Sequence, residues 1–274
     1  MELEELRSRL FKGAVLVVLL TPFKDGGGLD EEGLRENIRF LLERSRGRLD
    51  RLVLVPTGST GEFYALTDEE RRRVIEITVE EAGGKVIVIA GTAQAGTEGT
   101  VVMSRYAEDV GADAVMVVLP YYHIPSEGGM YMHYRRLGEE VDVGIVVYNN
   151  PSTSKCYIFP PLMARLVADV PNIVAVKENT THIATYYRMM RAVGDRVPVF
   201  CGLGEFWYAV EALFGCPGFV SGFANFAPEL SLELKLLPGS GCLRWPTAKP
   251  FVCRRRFGPP DGQCPITSDG RCPM

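Results

Sequence analysis

The chain has 274 residues, 46% hydrophobic and 23% charged, with a formal net charge of −4 at pH 7. That is the composition of an ordinary globular protein, and its acidic balance offers no basic surface to nucleic acid or an anionic membrane. The longest apolar run, Ala14 to Leu20, is well short of the ~20 residues of a membrane-spanning helix. The acidic Met1-Glu2-Leu3-Glu4-Glu5 lacks the regions of a signal peptide, so a cytoplasmic protein is expected.

Ala14 to Leu20 reads as a first buried strand, stopped by Thr21-Pro22 and the glycines at 26 to 28. Asp30 can cap a helix whose apolar face is Leu34, Ile38, Leu41 and Leu42. Arg51 to Val55 makes a second strand, followed by Pro56-Thr57-Gly58-Ser59-Thr60-Gly61-Glu62. Thr67-Asp68-Glu69-Glu70 is a capping box, and the helix behind it carries Val74, Ile75 and Ile77. Lys85 to Ala90 and Asp113 to Val118 supply strands three and four, with a helix from Thr100 to Asp109 between them. A turn at Pro120-Tyr121-Tyr122 leads to a helix near Glu127 to Leu137. Val143 to Val147 is a fifth strand and ends in Tyr148; a helix from about Pro161 to Ala168 follows.

The sixth strand is Ile173-Val174-Ala175-Val176, closed by Lys177. Val197 to Cys201 and Gly218 to Gly222 supply the seventh and eighth. Strand and helix alternating about eight times in roughly 220 residues is the period of a (β/α)8, or TIM, barrel. An open doubly wound sheet is the alternative, and the absence of a G-x-G-x-x-G after the first strand argues against it.

Residues 1–237 are therefore assigned to the barrel. From Pro238 onward the sequence is rich in Pro, Gly, Arg and Cys and shows no apolar period of 2 or 3.6, so residues 238–274 are expected to form an irregular tail. Only about Pro228 to Leu237 then remains to cover strand eight. Cys156, Cys201 and Cys216 read as small core hydrophobes. Cys242, Cys253, Cys264 and Cys272 contain no C-x-x-C pair, which argues against a zinc site.

Three groups fall where a barrel presents its chemistry, at the C-terminal ends of the strands. Lys177 closes strand six, Tyr148 closes strand five, and Gly58-Ser59-Thr60-Gly61 follows strand two. An ammonium ending a buried strand must find a partner, reach water or lose its proton. It either snorkels to solvent or serves as an imine-forming nucleophile. Adjacent strands lie about 4.8 Å apart, so the tyrosine and lysine heads can meet over the barrel mouth. A phenol beside an amine suits imine chemistry, because carbinolamine formation and collapse each move a proton. The Gly-Ser-Thr-Gly turn offers backbone N–H groups and two hydroxyls, enough to hold a carboxylate.

Taken together, Pro56-Thr57-Gly58-Ser59-Thr60-Gly61-Glu62 with Leu66-Thr67-x-x-Glu70-Arg71, Tyr148-Asn149-Asn150-Pro151, Val176-Lys177-Glu178, Pro120-Tyr121-Tyr122 and Gly218-Phe219-Val220-Ser221-Gly222-Phe223-Ala224-Asn225 resemble the ordered motifs of the dihydrodipicolinate synthase and N-acetylneuraminate lyase family. The resemblance runs from about Gly13 to Leu230. It implies that Lys177 forms an imine with pyruvate or another 2-keto acid and that Tyr148 shuttles protons. It further implies that Gly58, Ser59 and Thr60 bind the carboxylate, that Val220 and Thr153 line the substrate, and that Tyr122 reaches a neighbouring subunit's site in a homo-oligomer, a dimer or tetramer. No metal or organic cofactor is implied; the second substrate is an aldehyde.

Two features depart from that family. Where the synthase has an arginine that binds the aldehyde substrate's carboxylate, this chain has Thr153. A neutral hydroxyl cannot make the bidentate contact of a guanidinium, so either Lys155 substitutes or the acceptor carries no carboxylate there. The residues after Leu237 do not resemble the family's small helical domain. The expected activity is that of a class I aldolase or lyase. Dihydrodipicolinate synthase activity, on pyruvate and aspartate semialdehyde, and a non-catalytic keto-acid or sugar-acid sensor are the alternatives.

Overall fold

The computed structural model describes residues 1–236, together with an antiparallel backbone pairing of Cys242–Leu243 with Val252–Cys253. The eight strands are β1 (Val15–Val18), β2 (Leu52–Val55), β3 (Ile87–Gly91), β4 (Ala114–Val118), β5 (Gly144–Asn149), β6 (Ile173–Glu178), β7 (Val199–Cys201) and β8 (Phe219–Ser221). Each pairs in parallel with the next, and β1 pairs with β8, closing the barrel. The open-sheet alternative is thereby excluded. Every residue of the eight strands is buried, as expected where side chains of one parity fill the barrel and those of the other lie under helices.

The helices are α1 (Leu3–Phe11), α2 (Glu31–Arg44), α3 (Asp68–Ala82), α4 (Thr97–Asp109), α5 (Glu127–Glu140), α6 (Pro151–Ser154), α7 (Pro160–Asp169), α8 (Ile183–Val193), α9 (Gly204–Glu211) and α10 (Pro228–Leu236). The caps read from sequence form as hydrogen bonds. Asp30 accepts from the Gly33 N–H at 3.2 Å. Thr67 and Glu70 exchange both bonds of a capping box, at 3.2 and 2.9 Å. α4 begins three residues before the expected Thr100, with Gly96 as its N-cap.

α1 is an addition to the elements expected from sequence. Leu6 and Leu10, one turn apart, are fully buried, and Arg7 donates to the carbonyls of Pro171 and Ile173 ahead of and at the start of β6. α1 thus packs beneath β5 and β6, where Gly144 makes room: a Cβ there would lie 2.8 Å from both Leu6 and Val174. At the other end of the chain α10 buries Leu232 and Leu234 and pairs Glu229 with Arg44 of α2. Apart from the pairing of Cys242–Leu243 with Val252–Cys253, the expected irregular tail, residues 238–274, lies outside the described residues. No described helix is long and apolar enough to cross a membrane.

Strands β5 and β6 are out of simple register. Ile145 pairs with Ile173 but Val146 pairs with Ala175, so Val174 is one residue extra on β6. Beyond this bulge Tyr148 lies opposite Lys177 and Asn149 opposite Glu178. Bulges of this kind re-aim side chains next to functional sites.

Candidate active site

Tyr148 and Lys177 end adjacent strands and are almost completely buried, at 6% and 3% exposure. The Lys177 ammonium nitrogen stands 3.7 Å from the centroid of the Tyr148 ring. Among the described residues Lys177 forms no ion pair and no hydrogen bond, so the aromatic face is its closest polar counterpart. Tyr148 also lines a small cleft, open to solvent, together with Gly58, Ser59, Phe63, Met116 and Val118.

The loop after β2 forms one wall of that cleft and is held from both sides. Thr57 adopts a positive φ of 53°, a strained conformation for a β-branched residue. Its hydroxyl donates to the Gly91 carbonyl of β3 at 2.7 Å. Thr21, beyond β1, donates to the Gly61 carbonyl at 2.7 Å. Gly58 lies close enough to β1 that a Cβ would sit 2.6 Å from Val18. The side chains of Ser59 and Thr60 form no hydrogen bond among the described residues and are partly or fully exposed, leaving two hydroxyls for a ligand.

Val220 lies on β8, 5% exposed. The neighbouring Ser221 hydroxyl donates outward to Glu205 of α9 at 2.5 Å, so by strand alternation Val220 faces the barrel interior. The outlying member of the expected set is Tyr122, which is 72% exposed and packs its ring against His123. Its carbonyl accepts from Lys155 at 3.3 Å. Thr153 sits in α6 with its hydroxyl oxygen 2.8 Å from the Asn150 amide nitrogen. The same nitrogen is 2.8 Å from the Tyr148 hydroxyl. Asn150 stands within the Tyr148-Asn149-Asn150-Pro151 motif, yet the sequence alone assigns it no task.

Behind the mouth, on the outer side of β5 and β6, lies a buried polar network absent from the sequence-based expectations. Asn149 exchanges two bonds with the backbone of Ile158, both at 3.0 Å, and donates to Glu178 at 2.9 Å. Glu178 also accepts from the Tyr157 hydroxyl at 3.0 Å and the Thr180 N–H at 2.9 Å. Burial pushes the Glu178 carboxyl up to about 7, against the pull of these donors. Nearby, Glu211 of α9 is fully buried beside Cys201 with neither oxygen hydrogen-bonded, and burial pushes it up to about 8. Cys201 and Cys216 are buried as expected, but they also bond backbone: Cys216 Sγ lies 3.0 Å from the Gly218 carbonyl. The signal for the network is present in the sequence as two acids placed where an apolar residue is the norm.

Comparison with known proteins agrees with the barrel fold. The model of the Dihydrodipicolinate synthetase family matches residues 11–238. The chain is 40% identical over 221 residues to a 4-hydroxy-tetrahydrodipicolinate synthase of Methanopyrus kandleri, covering 80% of this chain and 72% of the relative. It superposes with a TM-score of 0.78 on a dihydrodipicolinate synthase from Aquifex aeolicus, at 34% identity over 83% of this chain and 75% of that one. A monomeric dihydrodipicolinate synthase variant, also 34% identical, superposes with a TM-score of 0.75 over 83% and 75% of the two chains.

The two buried acids make stability fall with pH. Both carboxyls titrate near 4.5 when unfolded and near 7 and 8 when folded. The unfolded chain therefore binds fewer protons between these values. The stability that the protonated acids allow is complete below about pH 4.5 and is lost as pH rises through about 8. Glu211→Gln is expected to flatten the decline in melting temperature between about pH 6 and 9, because a tenfold change in proton affinity between the folded and unfolded chain is worth about 1.4 kcal/mol. An unchanged slope in thermal melts of the variant would show that Glu211 is not held protonated.

Proposed function

The chain belongs to the dihydrodipicolinate synthetase family, and from that membership we propose that it acts as a lysine-imine lyase in which Lys177 is the nucleophile and Tyr148 the proton carrier. The observation that carries the assignment is the buried, unpaired Lys177 ammonium on the face of Tyr148, beside a cleft lined by Gly58 and Ser59.

The chemistry follows from those positions. The neutral amine adds to C2 of pyruvate or a related 2-keto acid, and its N–H proton passes to the former carbonyl oxygen. Tyr148 gives its proton to that oxygen, the C–O bond breaks, water leaves, and the nitrogen lone pair forms the iminium. The Tyr148 phenolate then takes a proton from C3, the C–H electrons become the C=C of an enamine, and the phenol is restored. The enamine carbon attacks an aldehyde, or is released by cleavage in the reverse direction. The carboxylate of the keto acid is assigned to the hydroxyls and backbone N–H groups of Gly58, Ser59 and Thr60, with Val220 on β8, beyond the intervening β1. We assign Tyr122, exposed on this chain, to a contact with a second copy in a homo-oligomer.

The acceptor is a separate question. Relatives of this chain carry the synthase name, yet Thr153 replaces the carboxylate-binding arginine and its oxygen is turned toward Asn150. Lys155, in a left-handed conformation with φ of 59°, is the nearest cation along this segment and is tethered to the Tyr122 carbonyl. We therefore favour an aldehyde that carries no carboxylate at this position.

Three experiments test these assignments. Pyruvate with borohydride should leave a stable adduct on Lys177 by peptide mass mapping. Tyr148→Phe should retain that trapping while slowing exchange of the pyruvate methyl hydrogens in D2O by about 10²-fold or more. An unmodified Lys177 at saturating pyruvate would overturn the mechanism; an unslowed Tyr148→Phe would make the tyrosine mere packing. A panel of aldehydes with pyruvate, read by product mass, should show aspartate semialdehyde to be a poor acceptor. Efficient condensation with it would instead give Lys155 the carboxylate.

A further inference from the structure

Asn150 lies between the proposed proton carrier and the helix that follows it, and its amide has a fixed direction. Its Oδ1 is 3.2 Å from the Ser152 backbone nitrogen. A backbone N–H can only donate, so the atom facing it must be the oxygen, and the amide cannot be flipped. The nitrogen then faces the Tyr148 hydroxyl and the Thr153 hydroxyl, each at 2.8 Å, and both of its hydrogens are engaged. An amide nitrogen has no lone pair to accept with. The Tyr148 oxygen is therefore the acceptor of that bond, and the phenol's own proton must point elsewhere.

From this we infer that Asn150 is a positioning residue that holds the Tyr148 proton out toward the substrate, with Thr153 fixing the amide that does so. The inference rests on the proposed role of Tyr148. It assigns Thr153 a task other than the substrate contact of the arginine it replaces: its oxygen takes the amide's second hydrogen. When Tyr148 has given its proton to the departing hydroxyl, the phenolate oxygen keeps the Asn150 N–H as a donor until it takes the C3 proton back. No other reactant is needed. Asn150 is 6% exposed, so water does not readily replace it in either state.

Asn150 also caps α6 through Oδ1, and the test must separate that structural task from the positioning one. Asn150→Asp keeps the capping oxygen, and Asp caps as well as Asn. It replaces the donor to Tyr148 by an acceptor, which draws the phenol proton away from the substrate. Asn150→Ala removes cap and donor together. The readout is exchange of the pyruvate methyl hydrogens in D2O, which requires no acceptor aldehyde, alongside borohydride trapping on Lys177 and the melting temperature.

Asn150→Asp is expected to lower the maximal exchange rate about tenfold or more, with the KM for pyruvate and the extent of trapping within about twofold of the parent. In the Tyr148→Phe background Asn150→Ala is expected to slow exchange no further, because it acts through the hydroxyl already removed. This cycle decides the question even if the aspartate variant folds poorly. An Asn150→Asp protein that exchanges at the parent rate, or an Asn150→Ala effect that multiplies with Tyr148→Phe, would overturn the inference and leave Asn150 as a cap alone. Failure of trapping on Lys177 in the unsubstituted protein is a different result, overturning the mechanism and this inference with it.

Discussion

The barrel mouth depends on which residue of β6 lies opposite Tyr148. In a strand, side chains alternate with a period of two, so a slip of one residue exchanges the inner and outer sets. Without the extra residue at Val174, the pairing of Ile145 with Ile173 would run on to set Val176 opposite Tyr148. Lys177 would then be offset from the phenol. The bulge shifts the ladder by one, and the amine comes to rest on the ring. The packing below supports it: α1 presses Leu6 against Gly144 and Val174, where the two strands fall out of step.

The same register sets the outer side. Because Tyr148 and Lys177 face inward as partners, Asn149 and Glu178 face outward as partners, and their hydrogen bond ties the two strand ends together. A buried carboxyl is costly unless its oxygens are satisfied. Glu178 meets that condition with three donors from three segments: Asn149 of β5, Tyr157 ahead of α7 and the Thr180 N–H after β6. The network thus fixes position, while burial, against the pull of these donors, displaces the carboxyl's ionisation toward neutral pH. Thr57 makes a similar exchange across the mouth, keeping a positive φ because its hydroxyl is anchored on β3.

The architecture is legible in the sequence for a simple reason. Parallel barrel strands are covered on both faces, so each reads as an apolar run broken only toward its C-terminal end, and the helices between announce themselves by caps such as Asp30 and Thr67. Strand ends are less legible, because ladder hydrogen bonds rather than hydropathy set them; Ala14 and Leu19 are buried but fall outside β1. The bulge leaves no mark in Ile173-Val174-Ala175-Val176, where any of the four could be the extra residue. α1 is hard to find because its acidic start dominates the segment and only two spaced residues, Leu6 and Leu10, carry its buried face. At the site, Lys177, Tyr148 and the Gly58-Ser59-Thr60 turn can be read as strand-end chemistry. Asn150 cannot, since its importance lies in the direction of an amide that only the Ser152 N–H reveals.

Strand register is thus what brings an unpaired amine and a directed phenol to one point. A crystal structure of the protein soaked with pyruvate and reduced with borohydride would decide whether they work there together. Continuous density is expected from Lys177 Nζ to C2 of the adduct, with the Tyr148 oxygen within hydrogen-bond distance of it and the Asn150 nitrogen still on that oxygen. Pyruvate bound without a covalent link, or a Lys177 side chain turned out of the mouth with Val176 opposite Tyr148, would contradict this reading.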